Sequence, residues 1–403
     1  MPLRRLLLFL AVAHRALAAG EPLQVAVVGR AEPVTALRAV LTAELSPEAG
    51  VTAGLTALRT AHVAVFHGGP GKLHDSEVAI VREFLSAGRG SVVLGATPGD
   101  WSAMPEFFQS QLGAEPGGRF AGGAPMRTIS LYPHPIHTGV AEFDTAQPVH
   151  RFTNLAEDAQ LIMEGTVGEE TAPLAWVRRR DAGRLVHIVP AEGATLANPA
   201  FRRVLANAVR WAGARPVPGA VAAVQRTFMP ESHPGSFAIT FPGGPGVCLD
   251  PVRGGINFVW DGDFVDLRPR WLTKQGAPAR IFGEPFYREG AWRPLRAGAP
   301  GRESDFQFRG YALTPAGPEF HWQIDGRDVF EALSASADGA VLTRRFRVAA
   351  GAAPLWLRLE PQPAAEIAVR GLERDGELAS FPSTAAGEFT IEIRRKHRAP
   401  SQP

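Results

Sequence analysis

"HVAVFHGGPGKLHDSEVAIVREFLSAGRGSVVLGATPGDW", His62–Trp101, reads as strand, glycine-rich turn, helix, strand and turn again. Its first six residues are Val-rich and apolar, the pattern of a strand buried on both faces. Asp75 and Glu77 then fall in a first helical turn, where the dipole favours acids. Ile80, Val81, Phe84 and Leu85 form one apolar stripe at helical spacing, and Gly88 ends the helix. Ser91–Leu94 is the next strand, and Gly95–Trp101 turns sharply toward a helix expected through Phe107 and Phe108. Interleaved strands and helices of this kind build a mainly parallel, three-layer sheet.

The pattern extends upstream, where strand "LQVAVVG" (23–29) precedes helix "PVTALRAVLTAEL" (33–45). After Gly118 strands dominate: "MRTISLY", "QLIMEG", "APLAWVRR" and "GRLVHIVP". Helix "NPAFRRVLANAVRWAG" closes this half, with Pro199 in its first turn. Beyond a Pro/Gly/Ala linker the period becomes two. "INFVWDGDFVDL" carries a hairpin signal with Asp261-Gly262 as its two-residue turn, and short strands continue to "GEFTIEIRRK". The expected organisation is an export signal at 1–18, an α/β domain at 20–214, a linker at 215–228 and an all-β antiparallel sandwich at 229–397.

The chain has 403 residues, 45% hydrophobic and 20% charged, enough to fill ordinary globular cores. Its start, "MPLRRLLLFLAVAHRALAAGEP", has the form of a secretory signal: Arg4 and Arg5, an apolar run from Leu6 to Ala13, then Ala16-Leu17-Ala18. That run is too short to span a bilayer, which needs about 20 residues. Cleavage after Ala18 removes Arg4, Arg5 and Arg15 and no acid, taking the formal net charge from +2 to −1. The expectation is an exported protein, periplasmic or secreted, without a membrane span. No Lys/Arg block remains to argue for nucleic acid. Cys248 is the one cysteine, which rules out an intrachain disulfide, a CxxCH haem site and thiolate-rich metal centres. No cofactor motif is present.

The segments "VAVFHGGPGKLHDSEVAIVREFLSAGRGSVVLGA", "HPIHTGVAEFD", "HRFTNLAEDAQLIME", "APLAWVRRRDAGRLVHIV" and "FRRVLANAVRWA", taken in order, resemble the ThuA-like family, named for trehalose utilisation. The resemblance implies the flavodoxin-like fold of class I glutamine amidotransferases and a link to carbohydrate metabolism. The second half, through "CLDPVRGGINFVWDGDFVDLRPRW", "GEPFYR", "FRGYAL" and "RRFRV", resembles domains found beside ThuA-like and c-type cytochrome modules in exported bacterial proteins. ThuA-like sequences commonly place histidines after the strand matching Ser91–Leu94, in a "GGxFxxHP" segment, and after the "GRV" strand. Here those places read Gly95-Ala96, "GGRFAGGAP" (117–125) and "VPAEGA" (189–194), with no histidine in any of them.

A Cys-His-Glu amidotransferase triad needs a thiolate at the strand-to-helix elbow, and Cys248 lies in the other half, as a small buried hydrophobe. Thr97 stands at the elbow, but Pro98 follows it. Thr97 or Asp100 capping a helix near Trp101 is the plainer reading, and free N–H groups there suit a hydroxyl-rich ligand. His67 ends its strand at the crevice side of a parallel sheet, where ligands usually sit. His134 and His137 are three apart, but Pro135 forbids a regular helix, so His134 reads as part of a turn and no metal is expected. His150 and Glu192 are further candidates facing the crevice, Glu192 for sugar hydroxyls. Trp260, Asp261, Asp263, Asp266 and Trp271 offer a sugar groove or, more simply, a packed hairpin. Two functions stay open: an exported protein binding or weakly processing a sugar derivative at a degenerate site, or a non-catalytic interaction module with an envelope protein partner.

Overall fold

The computed structural model describes residues 21–29, 31–119, 126–130, 133–145, 150–167, 169–180, 183–191, 193–269, 276–336, 339–382 and 384–396. The expected export signal at 1–18, together with Glu192 and Trp271, lies outside the described residues. The chain divides into two compact units. One holds the described residues up to Ile129, Ala141–Ala156 and Met163–Gly213; the other holds Ser130–Val140, Glu157–Ile162 and the chain from Ala214 onward.

The first half begins β1 (Leu23–Gly29), α1 (Ala31–Leu45), β2 (Ala49–Ala53), β3 (Val63–His67), α2 (Asp75–Ser86) and β4 (Gly90–Leu94). It continues through β5 (Glu115–Arg119), β6 (Met126–Ser130), β7 (Asp144–Thr145), β8 (His150–Thr153), β9 (Gln160–Val167), β10 (Glu170–Arg180) and β11 (Gly183–Ile188). It closes with α3 (Ala194–Ala197) and α4 (Pro199–Ala212). Val34, Leu37, Leu41 and Leu45 bury one face of α1 at helical spacing. Glu77 accepts the His74 N–H at 2.9 Å, closing the start of α2, and Asn198 caps α4 through Ala200 N at 2.9 Å. Val81 and Phe84 are the buried pair of the α2 stripe.

A nine-stranded sheet runs in the order β2-β1-β3-β4-β11-β10-β9-β6-β7. β1 is parallel to β2 and β3, β3 to β4, and β4 to β11; β10 is antiparallel to β11. The expected α/β fold therefore stands, with two strands in this sheet, β2 and β7, that the sequence did not predict, and with β5 and β8 paired apart from it. β2, "AGVTA", is a half-buried edge strand whose small residues make no apolar run. The helix expected through Phe107 and Phe108 is instead a 3-10 turn, Pro98–Trp101, followed by a single π-turn, Phe108–Leu112.

In the second half follow β12 (Ala223–Arg226), β13 (Phe237–Thr240), β14 (Gly246–Asp250), β15 (Gly255–Asp266), β16 (Arg280–Arg288) and β17 (Leu295–Ala297). Then come β18 (Phe306–Thr314), β19 (Gly317–Ile324), β20 (Arg327–Ala335), β21 (Val341–Val348) and β22 (Leu355–Arg358). The last are β23 (Ala365–Arg370), β24 (Glu373–Asp375), β25 (Leu378–Phe381) and β26 (Gly387–Arg395). They form antiparallel sheets of five strands (β12-β13-β14-β15-β16), four (β17-β22-β25-β24) and six (β18-β19-β20-β21-β26-β23). β12 lies inside the stretch read as a linker. Inward residues of all three sheets, among them Ile239, Val247, Trp322, Phe346, Leu355 and Leu357, share one core.

The expected Asp261-Gly262 hairpin turn is overturned. Both residues lie inside β15, one strand of twelve residues. Gly262 faces Gly283 of β16. A Cβ on Gly262 would meet the Phe282 carbonyl oxygen at 1.7 Å, and one on Gly283 the Asp261 oxygen at 1.8 Å. Glycine is used here for close backbone approach between two strands, which a sequence pattern does not separate from turn chemistry.

Candidate functional site

β1, β3, β4 and β11 run parallel, so their carboxyl ends share one edge of the sheet, the edge where α/β proteins bind ligands. His67, Gly68 and Gly69 leave β3 there, Gly95–Trp101 leaves β4, and Val189–Ala191 leaves β11. Hydrogen bonds tie the loops together: Gly68 N–H donates to Leu94 O at 2.6 Å and Gly95 N–H to Ile188 O at 2.9 Å. The Trp101 indole N–H donates to Gly68 O at 2.9 Å. Gly69 is required by this packing, since a Cβ on it would lie 2.6 Å from Trp101 Nε1 and 2.7 Å from Asp100 O.

The structure brings together four of the predicted residues: His67, Thr97, Asp100 and Trp101. Each is committed to the protein itself. His67 is buried, and its Nε2 lies 3.1 Å from Ala191 O; a carbonyl only accepts, so Nε2 carries the hydrogen. Thr97 Oγ1 donates to Asp100 Oδ2 at 2.5 Å and accepts from Asp100 N at 3.3 Å. The pair caps the 3-10 turn. Trp101 is fully buried, stacked on Phe107 with centroids 3.4 Å apart and edge-on to Phe66 at 5.3 Å. The Thr97 hydroxyl both donates to and accepts from Asp100 within one turn, which holds it in the backbone cap. The elbow is built as a cap.

The other candidates stand elsewhere. His134 belongs to Ser130–Val140, which groups with the second unit; its Nδ1 accepts the Ile136 N–H at 3.2 Å and caps the turn Pro135–His137. His150 lies on the separate ribbon β5-β8, where its Nε2 is 3.2 Å from an Arg119 guanidinium nitrogen. Among the described residues no group of three His, Cys, Asp or Glu is placed to hold a metal. No described helix is long and apolar enough to cross a membrane.

Cys248 is buried, with its sulfur 3.1 Å from Ser232 Oγ, and burial pushes the thiol up to about 12. Such a thiol is unreactive at neutral pH. Trp260 is buried and donates to Asp263 O at 2.9 Å. Asp266 is buried against Arg268 at 2.7 Å and Arg280 at 3.1 Å, and Asp261 pairs with Arg395. This aromatic and acidic group is packing, though its aspartates do not form the hairpin turn expected of them.

Sequence reasoning passed over His187, in β11. It is fully buried, opposite Trp176, and neither ring nitrogen finds a partner among the described residues. Burial, with a smaller contribution from His150, lowers its pKa to about 3. Its signal was available: a histidine at the centre of the apolar run "LVHIV".

A ThuA domain, the family described as trehalose utilisation, matches residues 27–212. A ThuA-like protein from Parabacteroides merdae is similar in structure at 14% identity, with 48% of this chain and 90% of that one covered and a TM-score of 0.39. A cytoplasmic protein from Salmonella typhimurium has 10% identity, covers 48% of this chain and 99% of its own, and gives a TM-score of 0.38. A β-galactosidase from Bacillus circulans has 9% identity, with 92% of this chain and 41% of that one covered and a TM-score of 0.37. No curated protein matches the chain.

Proposed function

We propose that this chain, with its ThuA domain, is an exported, non-catalytic protein of carbohydrate handling that recognises a sugar derivative and does not turn it over. One observation carries the reading. At the sheet edge where the fold would place chemistry, His67, Thr97, Asp100 and Trp101 are each hydrogen-bonded to another residue of the protein. The thiol an amidotransferase would use is absent from the elbow, and Cys248 sits in a strand of the other unit. The link to sugars rests on the family.

The test pairs turnover with binding. Trehalose and its keto derivative, offered to the full chain, are expected to raise the melting temperature with no product formed. Thr97→Val removes both the cap and the bond to Asp100, so it should cost about 1–2 kcal/mol of stability while leaving sugar binding intact. Product formation that disappears in Thr97→Val or His67→Ala would overturn the reading. The fully buried Trp101 favours a second role, an interaction module of the cell envelope. No response to any sugar, with stable co-purification of an envelope protein, would select it.

A further inference from the structure

We propose that the outer face of the four-stranded sheet β17-β22-β25-β24 carries a cleft for an acidic oligosaccharide of the uronic-acid type. The inference rests on the carbohydrate reading for its class of ligand, and it places binding at a site apart from the strand edge of the ThuA domain.

The side-chain period of the strands builds the cleft. Leu295, Leu355, Leu357 and Ala379 turn into the core, so Arg296, Trp356 and Arg358 stand on the other face. Register sets Arg296 directly opposite Trp356 and Arg358 opposite Leu378. Directly opposed side chains lie about 5 Å apart at Cβ and act as one surface. The loops Ala291–Pro294 and Ala299–Gly301 wall this surface into a cleft of about 210 Å3. A second depression of about 120 Å3, lined by Glu303, Ser304 and Phe306, shares Trp292, Arg293 and Arg296 with it. Two depressions across one ridge suit a ligand of more than one residue.

Trp292 on that ridge is 52% exposed and makes no ring contact with any described residue. Arg293 holds a left-handed backbone, φ 48°, a conformation that costs energy and collects at binding sites. Its guanidinium lies 5.5 Å from the Phe306 ring and forms no ion pair with a described residue. Arg296 donates to the carbonyls of Arg293 and Trp292 and likewise meets no acid. Arg358 is different, being already paired with Glu360 and Glu377. Two cations against the single carboxylate of Glu303 leave the ridge positive.

Two donors in the wall, Trp356 Nε1–H and Arg293 Nε–H, are buried without an acceptor among the described residues. Buried donors of this kind are costly unless something oxygen-rich satisfies them. An exposed indole offers a flat apolar face to a sugar ring, and planar guanidinium groups match carboxylates bidentately. A nucleic acid would want a longer basic track than two arginines.

The test titrates the full chain with tetragalacturonate, maltotetraose and tetraglutamate at one ionic strength. Tetragalacturonate is expected to bind at least tenfold more tightly than either other probe. Trp292→Ala, at an exposed position, and Arg293→Met should each weaken it at least tenfold with the melting temperature unchanged. Equal binding of the three probes, tighter tetraglutamate, or variants that bind like the parent chain would overturn the proposal. If tetragalacturonate fails while a neutral disaccharide still raises the melting temperature, the cleft falls and the carbohydrate reading stands. If neither acts, both fall.

Discussion

His187 shows how one side chain can set the pH response of a fold. It sits in the middle of β11, 4.3 Å from the Trp176 ring and 5.0 Å from Phe152 by centroids, and burial holds its pKa near 3 against an ordinary 6.5. Between those values the unfolded chain binds a proton that the folded chain does not. The residue's contribution to stability therefore rises with pH through this window and is lost as pH falls. From pH 7 to pH 5 the loss is about 2 kcal/mol. Urea denaturation of the parent chain and of His187→Phe at both pH values measures it. The parent should lose about 2 kcal/mol more than the variant between the two conditions, and equal losses would refute the assignment. Thr97 gives the complementary lesson. Its place after β4 was legible from the strand and the Gly/Pro turn, and its role as a cap followed from Asp100 three residues on.

At the scale of elements, β15 is where sequence pattern and tertiary context disagree. "WDGDF" has the composition of a two-residue turn, yet Asp261 and Gly262 lie mid-strand because β16 offers Gly283 across from Gly262. Register shifts on both sides, at Val259/Trp260 and Asp263/Val265, accommodate the close approach. Gly262→Ala should therefore cost about 2 kcal/mol or more, since the new methyl group meets backbone that cannot turn away. Asp261→Asn, which breaks a partly exposed pair with Arg395, should cost under about 1 kcal/mol. A comparison of urea midpoints separates the two. A mild effect of Gly262→Ala would mean that the strands can part. Helices were more legible than this strand. α1, α2 and α4 appear where the apolar spacing placed them, because a helix declares its buried face within one segment, whereas β2 is recognised only by its partner β1.

At the scale of the whole molecule, each half organises its own interior, and the second does so partly with charge. Arg344 of β21 is fully buried between Glu331 of β20 and Glu289, which follows β16, so the cluster ties the six-stranded sheet to the five-stranded one. Trp322 donates to Glu331 at 2.9 Å and Tyr287 to Glu289 at 3.2 Å. Burial raises the pKa of Glu289, although the adjacent Arg344 opposes it. Burial alone would lower the pKa of Arg344, but its two carboxylate neighbours outweigh that and hold it above the usual range. Arg344→Met should cost about 3–5 kcal/mol by stranding two buried carboxyl groups, and adding Glu289→Gln should recover part of the loss. Thermal denaturation of the single and double variants reads this directly, and a neutral Arg344→Met would show the cluster to be dispensable. Glu331 was detectable in advance, as an acid at an inward position of the alternating run "VFEAL". Its partners were not, since Glu289 lies 42 residues away along the chain. The sequence by itself determined the α/β half, the change of period beyond it, and the absence of a nucleophilic cysteine at the elbow. Those properties depend on local spacing and residue type. Only the tertiary structure decided that His67 bonds Ala191, Trp101 bonds Gly68 and Thr97 bonds Asp100, that Asp261-Gly262 runs straight, and that Arg293 and Arg296 form no ion pair with a described residue beside Trp292 and Trp356. Each of these is a matter of which distant group arrives at hydrogen-bonding distance, and the chain must close on itself before that is settled.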